Sequence, residues 1–165
     1  MKFNAQQFFH AATERIKQAT ILYRRNDGDC YAIAMYTAGV AVECLLRAFK
    51  SLRTDQYDER HDLRQLFSHS HILQFNEEYL ERRGLSERVV ESAQDMRAWL
   101  DEIYGLWAND YRYASEKRLK SELISMGKIS GVRGDVLKAN ANKLLNAADN
   151  LVERGVIIWK NLSPK

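Results

Sequence analysis

One proline in 165 residues is the first scarcity of this chain, and it removes the commonest cause of interrupted helices. Two cysteines, Cys30 and Cys44, are too few for a disulfide framework. Both lie on one apolar stretch, where a helical rise would set them about 20 Å apart, beyond bridging reach, so they are expected as buried thiols. No run approaches about 18 consecutive apolar residues, and the opening MKFNAQQFFHAATERIK lacks an apolar core followed by a small-residue cleavage site. This predicts a cytoplasmic protein with no membrane segment. No alternating β-branched run bounded by turn dipeptides is present, and neither internal repeats nor low-complexity segments occur. The net charge of +3 does not by itself mark a nucleic-acid binder.

What remains is helix. With 45% apolar and 28% charged residues, the chain reads as one globular domain over 1–165. The stretch Asp29–Lys50, DCYAIAMYTAGVAVECLLRAFK, is apolar nearly all the way round at 100° per residue, as suits the centre of a bundle. Its polar and small residues, Tyr36, Gly39, Glu43, Arg47 and Lys50, form one narrow stripe. That stripe is expected to face a groove, with Gly39 letting a backbone or ligand approach. Before it, Ala5, Phe8, Phe9, Ala12, Ile16, Ala19, Leu22 and Tyr23 recur at helical steps. Asn26 to Gly28 supply the turn between the two, and Asp29 is placed to cap the central helix.

After Lys50, Leu63, Leu66 and Phe67 predict a short helix capped by Asp62, followed by another from Ile72 to Leu80 that Gly84 stops. Ser86 is placed to cap the next. Val89, Ala93, Met96, Leu100, Ile103 and Trp107 follow alternating four- and three-residue steps, the seam of a long helix, with Trp99 and Leu106 widening its face. The segment 116–134, with Gly127, Gly131 and Gly134, predicts a flexible basic insertion. A final helix carries Leu137, Ala141, Leu144, Ala148, Leu151, Ile158 and Leu162, with Gly155 in the same register and Pro164 ending it. The expected architecture is all-α: a four-to-five-helix up-and-down bundle with one or two short helices between the second and third long ones.

The order of AVECLLRAFK, a loop, HDL at His61 to Leu63, a long helix running into YRY at Tyr111 to Tyr113, and a final helix rich in Ala and Leu resembles the HEPN superfamily. Its members are small all-helical domains of prokaryotic toxin–antitoxin, defence and nucleotidyltransferase-linked systems. The similarity spans about residues 4–162. It implies an RNA- or nucleotide-handling domain, commonly a homodimer, and calls for neither cofactor nor metal. The family's metal-independent ribonucleases use an arginine, four to six residues and a histidine. Arg112 is the arginine in the corresponding region. Lys117, Arg118 and Leu119 stand where the histidine would be, so the standard site is missing. A literal match, Arg64 to His69, lies instead in the short helix.

The candidate RNA- or phosphate-binding set is therefore Asn109, Asp110, Arg112 and Tyr113, with His61 and Arg47. An arginine grips phosphate bidentately and a tyrosine stacks on a base. The opposing possibility is that Arg112 pairs with Glu43 or Asp62 while Tyr111 and Tyr113 fill the core. His61 is read first as a structural hydrogen-bond donor to a neighbouring carbonyl or carboxylate, and His61, His69 and His71 have no recognisable metal spacing. From Arg112 to Lys138 seven basic residues face three acidic ones. Two functions stand: RNA or nucleotide binding, and a non-catalytic interaction module, an antitoxin or scaffold, that dimerises and binds a protein such as a nucleotidyltransferase. Trp99, Leu106 and Trp159, outside the clearest seams, point to a homodimer surface.

Overall fold

The computed structural model describes residues 3–25, 30–54 and 61–162. Its helices are α1 (Ala5–Arg24), α2 (Tyr31–Lys50), α3 (Leu63–Ser70), α4 (Ile72–Arg82), α5 (Val89–Leu106), α6 (Glu116–Ser125) and α7 (Val136–Lys160), with 3₁₀ turns at Ser86–Arg88 and Asn109–Tyr113. The protein is all-α, and no strand occurs among the described residues.

Apolar residues on α2 point in nearly every direction, so most of its surface must be covered, and one strip through Ile33, Val40 and Cys44 stays partly exposed. The helix packs against α1, α3, α6, α7 and the Asn109–Tyr113 turn, while α5 lies along α7. Met35, Leu45, Leu46 and Phe49 are fully buried at its centre. Among the described residues α2 is the one helix long and apolar enough to cross a membrane, and 72% of that stretch is buried inside the protein. Trp159 of α7 stacks on Phe9 of α1 at 4.6 Å and meets Phe49 of α2 edge-on at 5.5 Å, joining three helices.

Several helix starts follow the chemistry of their capping residues. Asn4 accepts from the Gln7 N–H at 2.8 Å, and the Gln7 side chain returns a bond to the Asn4 N–H. Asp62 caps α3 through Arg64 and Gln65, and Asp135 caps α7 through Leu137 and Lys138. At α2, Cys30 supplies no side-chain cap. The cap comes from far away in the chain, where Glu116 Oε1 accepts from the Ala32 N–H at 2.7 Å. The expected Asp29 cap, the Asn26–Gly28 turn and Pro164 lie outside the described residues.

Five expectations need correcting. The 116–134 segment is not a loose insertion. Residues 116–125 form α6, whose Leu119 and Leu123 are fully buried, and Asn140 of α7 holds the following turn by donating to the Lys128 carbonyl at 2.8 Å. The three glycines do adopt positive φ, so the sequence signal for turns was sound but began ten residues late. Ser86 opens a 3₁₀ turn rather than capping α5, which has no side-chain cap. Leu106 is core and offers no dimer surface, while Trp159 is half-buried in the α1–α2–α7 junction. Cys30 and Cys44 are only half-buried, and neither is in a disulfide.

The fifth correction concerns Trp107 and Gly39. Trp107 is not the last residue of the α5 seam, for its backbone turns to φ −124°, ψ 138°, and its indole lies on α2 over Gly39. Its Nε1 donates to the Tyr36 carbonyl at 3.1 Å. Gly39 thus admits a tryptophan side chain from the same protein, where a ligand or backbone was expected.

A β-carbon at Gly39 would stand 2.1 Å from that indole, whereas one at Gly155 meets only the branched end of Leu45. Overpacking typically costs about 1–3 kcal/mol. Gly39→Ala is expected to lower the thermal midpoint by several degrees, and Gly155→Ala to lower it less; equal shifts in a melting experiment would refute the tryptophan lock.

Candidate nucleic-acid interface

The α2 stripe is where burial conflicts most with chemistry. Glu43 and Arg47 stand one turn apart and are only 7% and 6% exposed, a depth at which charges need partners. Arg47 Nε donates to Glu43 Oε1 at 2.9 Å, and His61 Nδ1 lies 2.8 Å from Glu43 Oε2. An ionised carboxylate only accepts, so Nδ1 carries the proton and Nε2 is directed away from Glu43. The His61 side chain is 44% exposed. The result is a half-exposed imidazole oriented by a buried carboxylate, which is itself held by a guanidinium. Arg47 is accordingly withdrawn from the ligand-binding set: it lies in the core against Glu43.

The other candidates share one short turn. Trp107, anchored on α2, delivers the chain into Asn109–Tyr113, where Tyr111 faces inward and is 5% exposed. Burial, with the Glu122 charge adding to it, pushes the Tyr111 phenol up to about 12. Asn109 is half-buried, while Asp110 and Arg112 are exposed and Tyr113 is 77% exposed. The Arg112 guanidinium carbon sits 4.6 Å from the centre of the Tyr113 ring. Of the two alternatives posed by the sequence, the core role holds for Tyr111 and fails for Tyr113. Neither proposed ion pair of Arg112 forms, because Glu43 is occupied by Arg47 and His61, and Asp62 caps α3. The geometry brings His61 to Glu43 and groups Arg112 with Tyr113, with no hydrogen bond joining the two sets among the described residues. Trp107, which leads into the turn, and His61 lie over the same face of α2. Trp107 covers it at Gly39, and His61 covers it at Glu43, about 6 Å further along the axis.

Charges around the turn are more one-sided than their count. Glu116 points inward to the α2 N-terminus, and Asp135 is held by Lys120 at 2.8 Å, an ammonium contact that keeps its carboxyl below the usual range. Glu122 faces Tyr111. Lys117 and Arg118 remain exposed beside Arg112 in sequence. This segregation was not legible from composition, since it depends on which way each side chain turns.

The Arg64–His69 match does not form a site. Five residues of helix rotate the two about 140° apart. Arg64 instead binds Asp101 at 3.1 Å and lies 4.0 Å over the Tyr104 ring. No cluster of three or more metal-ligating side chains occurs among the described residues. Sequence reasoning missed Glu43 as the group that orients His61, though its four-residue spacing from Arg47 is an ion-pair signal. Comparison with known protein families, with curated proteins and with solved structures gives no match to this chain.

Two outcomes are expected. Glu43→Ala removes the buried carboxylate shared by Arg47 and His61 and should cost about 3 kcal/mol in chemical denaturation, against about 1 kcal/mol for the half-exposed His61→Ala; comparable losses would contradict the assigned roles. In alkali, burial raises the Cys44 thiol to about 11 from 9.0, with the Glu43 charge contributing. The folded state disfavours the thiolate that the unfolded chain accepts, so stability should fall as pH rises from about 9 to 11. Cys44→Ala should flatten part of that fall, and an unchanged pH profile would show that Cys44 does not contribute.

Proposed function

We propose that this protein is a HEPN-like RNA- or nucleotide-binding domain of a prokaryotic stress-response or defence system, working in the cytoplasm as a homodimer and lacking the standard metal-independent ribonuclease site. The observation that carries the reading is the Arg112–Tyr113 pair. A guanidinium stacked on a ring that is 77% exposed, with no carboxylate partner among the described residues, offers a phosphate grip and a base-stacking platform at once. The exposed cations of α6 follow it directly in the chain, and Glu116 and Asp135 are turned elsewhere, while Asp110 stays exposed in the same turn. His61, with Nε2 directed away from Glu43, adds a donor or acceptor for a phosphate or base edge. No histidine follows Arg112 at the required distance, so binding without cleavage is the activity this chain supports.

A second reading, the interaction module that engages a protein partner, draws on one observation. Ile124, Met126 and Ile129 are 46–50% exposed at the end of α6. They form an apolar tip beside the basic surface, suited to a partner that is both apolar and acidic.

Titration of labelled single-stranded RNA across a salt series separates the two. Wild-type binding is expected to weaken as salt rises, Arg112→Ala to reduce the salt slope by about one, and Tyr113→Ala to cost about 1–3 kcal/mol with the slope unchanged. RNA should be recovered intact. Absence of binding at low salt, or variants that bind as the wild type does, would remove the RNA reading.

A further inference from the structure

On the side of the bundle formed by α4, α5 and α7, a cavity of about 140 Å³ collects charges that do not pair with one another. Arg88, Glu91, Ser92, Asp95 and Trp99 recur at three- and four-residue steps and so share one face of the α5 region. Arg154 enters from α7. Asn76 of α4, fully buried behind them, fixes the arrangement: Arg154 Nε donates to Asn76 Oδ1 at 2.7 Å, and Asn76 Nδ2 donates to Ser92 Oγ at 3.1 Å. The guanidinium also sits 5.3 Å over the Tyr79 ring. Held in this way, Arg154 has no carboxylate within ion-pair distance among the described residues, although Glu91 and Asp95 line the same cavity. Burial disfavours its charge, with Arg88 contributing in the same direction and the Tyr79 hydroxyl opposing them.

We infer that this cleft binds a small zwitterion of the free α-amino acid class. Two cations and two anions line it, so an isolated anion would meet Glu91 and Asp95, and an isolated cation would meet Arg88 and Arg154. A ligand carrying both charges a few atoms apart satisfies both sides. Its carboxylate takes the outer guanidinium N–H groups of Arg154, its ammonium faces Asp95 and Glu91, and its side chain lies toward Trp99. Size selects within the class. At about 30 Å³ per water, the cavity holds a few waters' worth of ligand, below the roughly 300 Å³ at which pockets for drug-sized molecules begin. Glycine, alanine and serine fit that scale and a nucleotide does not. The site is distinct from the Arg112–Tyr113 surface and stands or falls independently of it.

Calorimetric titration of the full chain with glycine, L-alanine and L-serine, beside acetate and methylammonium, tests the inference. Saturable binding of at least one amino acid is expected, with neither single-charge compound saturating in the same range. Arg154→Met and the double variant Glu91→Gln/Asp95→Asn should each weaken it about tenfold or more. The double variant changes only exposed positions, so it reports on binding even if losing Arg154 disturbs buried Asn76 and the fold. No saturation by any of the three amino acids, acetate binding as well as they do, or full binding by the double variant would overturn it.

Discussion

The indole of Trp107 lying on Gly39 is the contact on which the candidate interface depends. A helix closely packed over most of its surface cannot accept a bulky ring unless one position gives up its side chain, and Gly39 does so. The bond from the indole to the Tyr36 carbonyl then fixes the ring's direction. α5 must end there, because its chain has to leave the helical path to place the ring. The 3₁₀ turn that follows inherits its position from that anchor, with Tyr111 inside and Arg112 and Tyr113 outside.

A second constraint comes from putting a carboxylate on the innermost helix. Glu43 is tolerable there only because Arg47 and His61 both donate to it. In consequence the polar stripe of α2 is closed over by the protein itself, Trp107 covering one part and His61 the next. The surface left for a ligand is the outer layer those residues hold in place. The same logic governs Asn76, a buried amide whose two partners draw α4, α5 and α7 together.

The helices were legible in the sequence because their apolar residues repeat at helical spacing and their caps are local. Asp62 capping α3 and Gly84 ending α4 are cases where a few neighbouring residues decide the outcome. The central position of α2 was equally readable from its all-round apolarity. What escaped were contacts between residues distant in the chain. α6 reads as loop because polar residues outnumber its apolar ones, yet two leucines one turn apart suffice once α7 offers them a surface. Trp159 and Leu106 fall outside simple seams and so read as surface, because a helix touching more than one neighbour buries more than one stripe. In the candidate set, Arg112 and Tyr113 kept the exposure their residue types suggested. Arg47 did not, since periodicity reports a position on a wheel and not the partner waiting opposite it.

The bond from Glu116 to the first turn of α2 spans 84 positions of the chain. A capping residue normally leaves the ribosome together with the helix it caps, but this one emerges after α2, α3, α4 and α5 have all been made. Until then the start of the central helix lacks that acceptor, and the α1–α2 hairpin is incomplete at the end where α2 begins. The turn bearing Arg112 and Tyr113 lies immediately before Glu116, so the last acceptor needed by the oldest part of the core and the candidate RNA surface arrive within a few residues of each other. During synthesis the cap of the central helix and that surface are therefore made together, before α7 arrives to close the core.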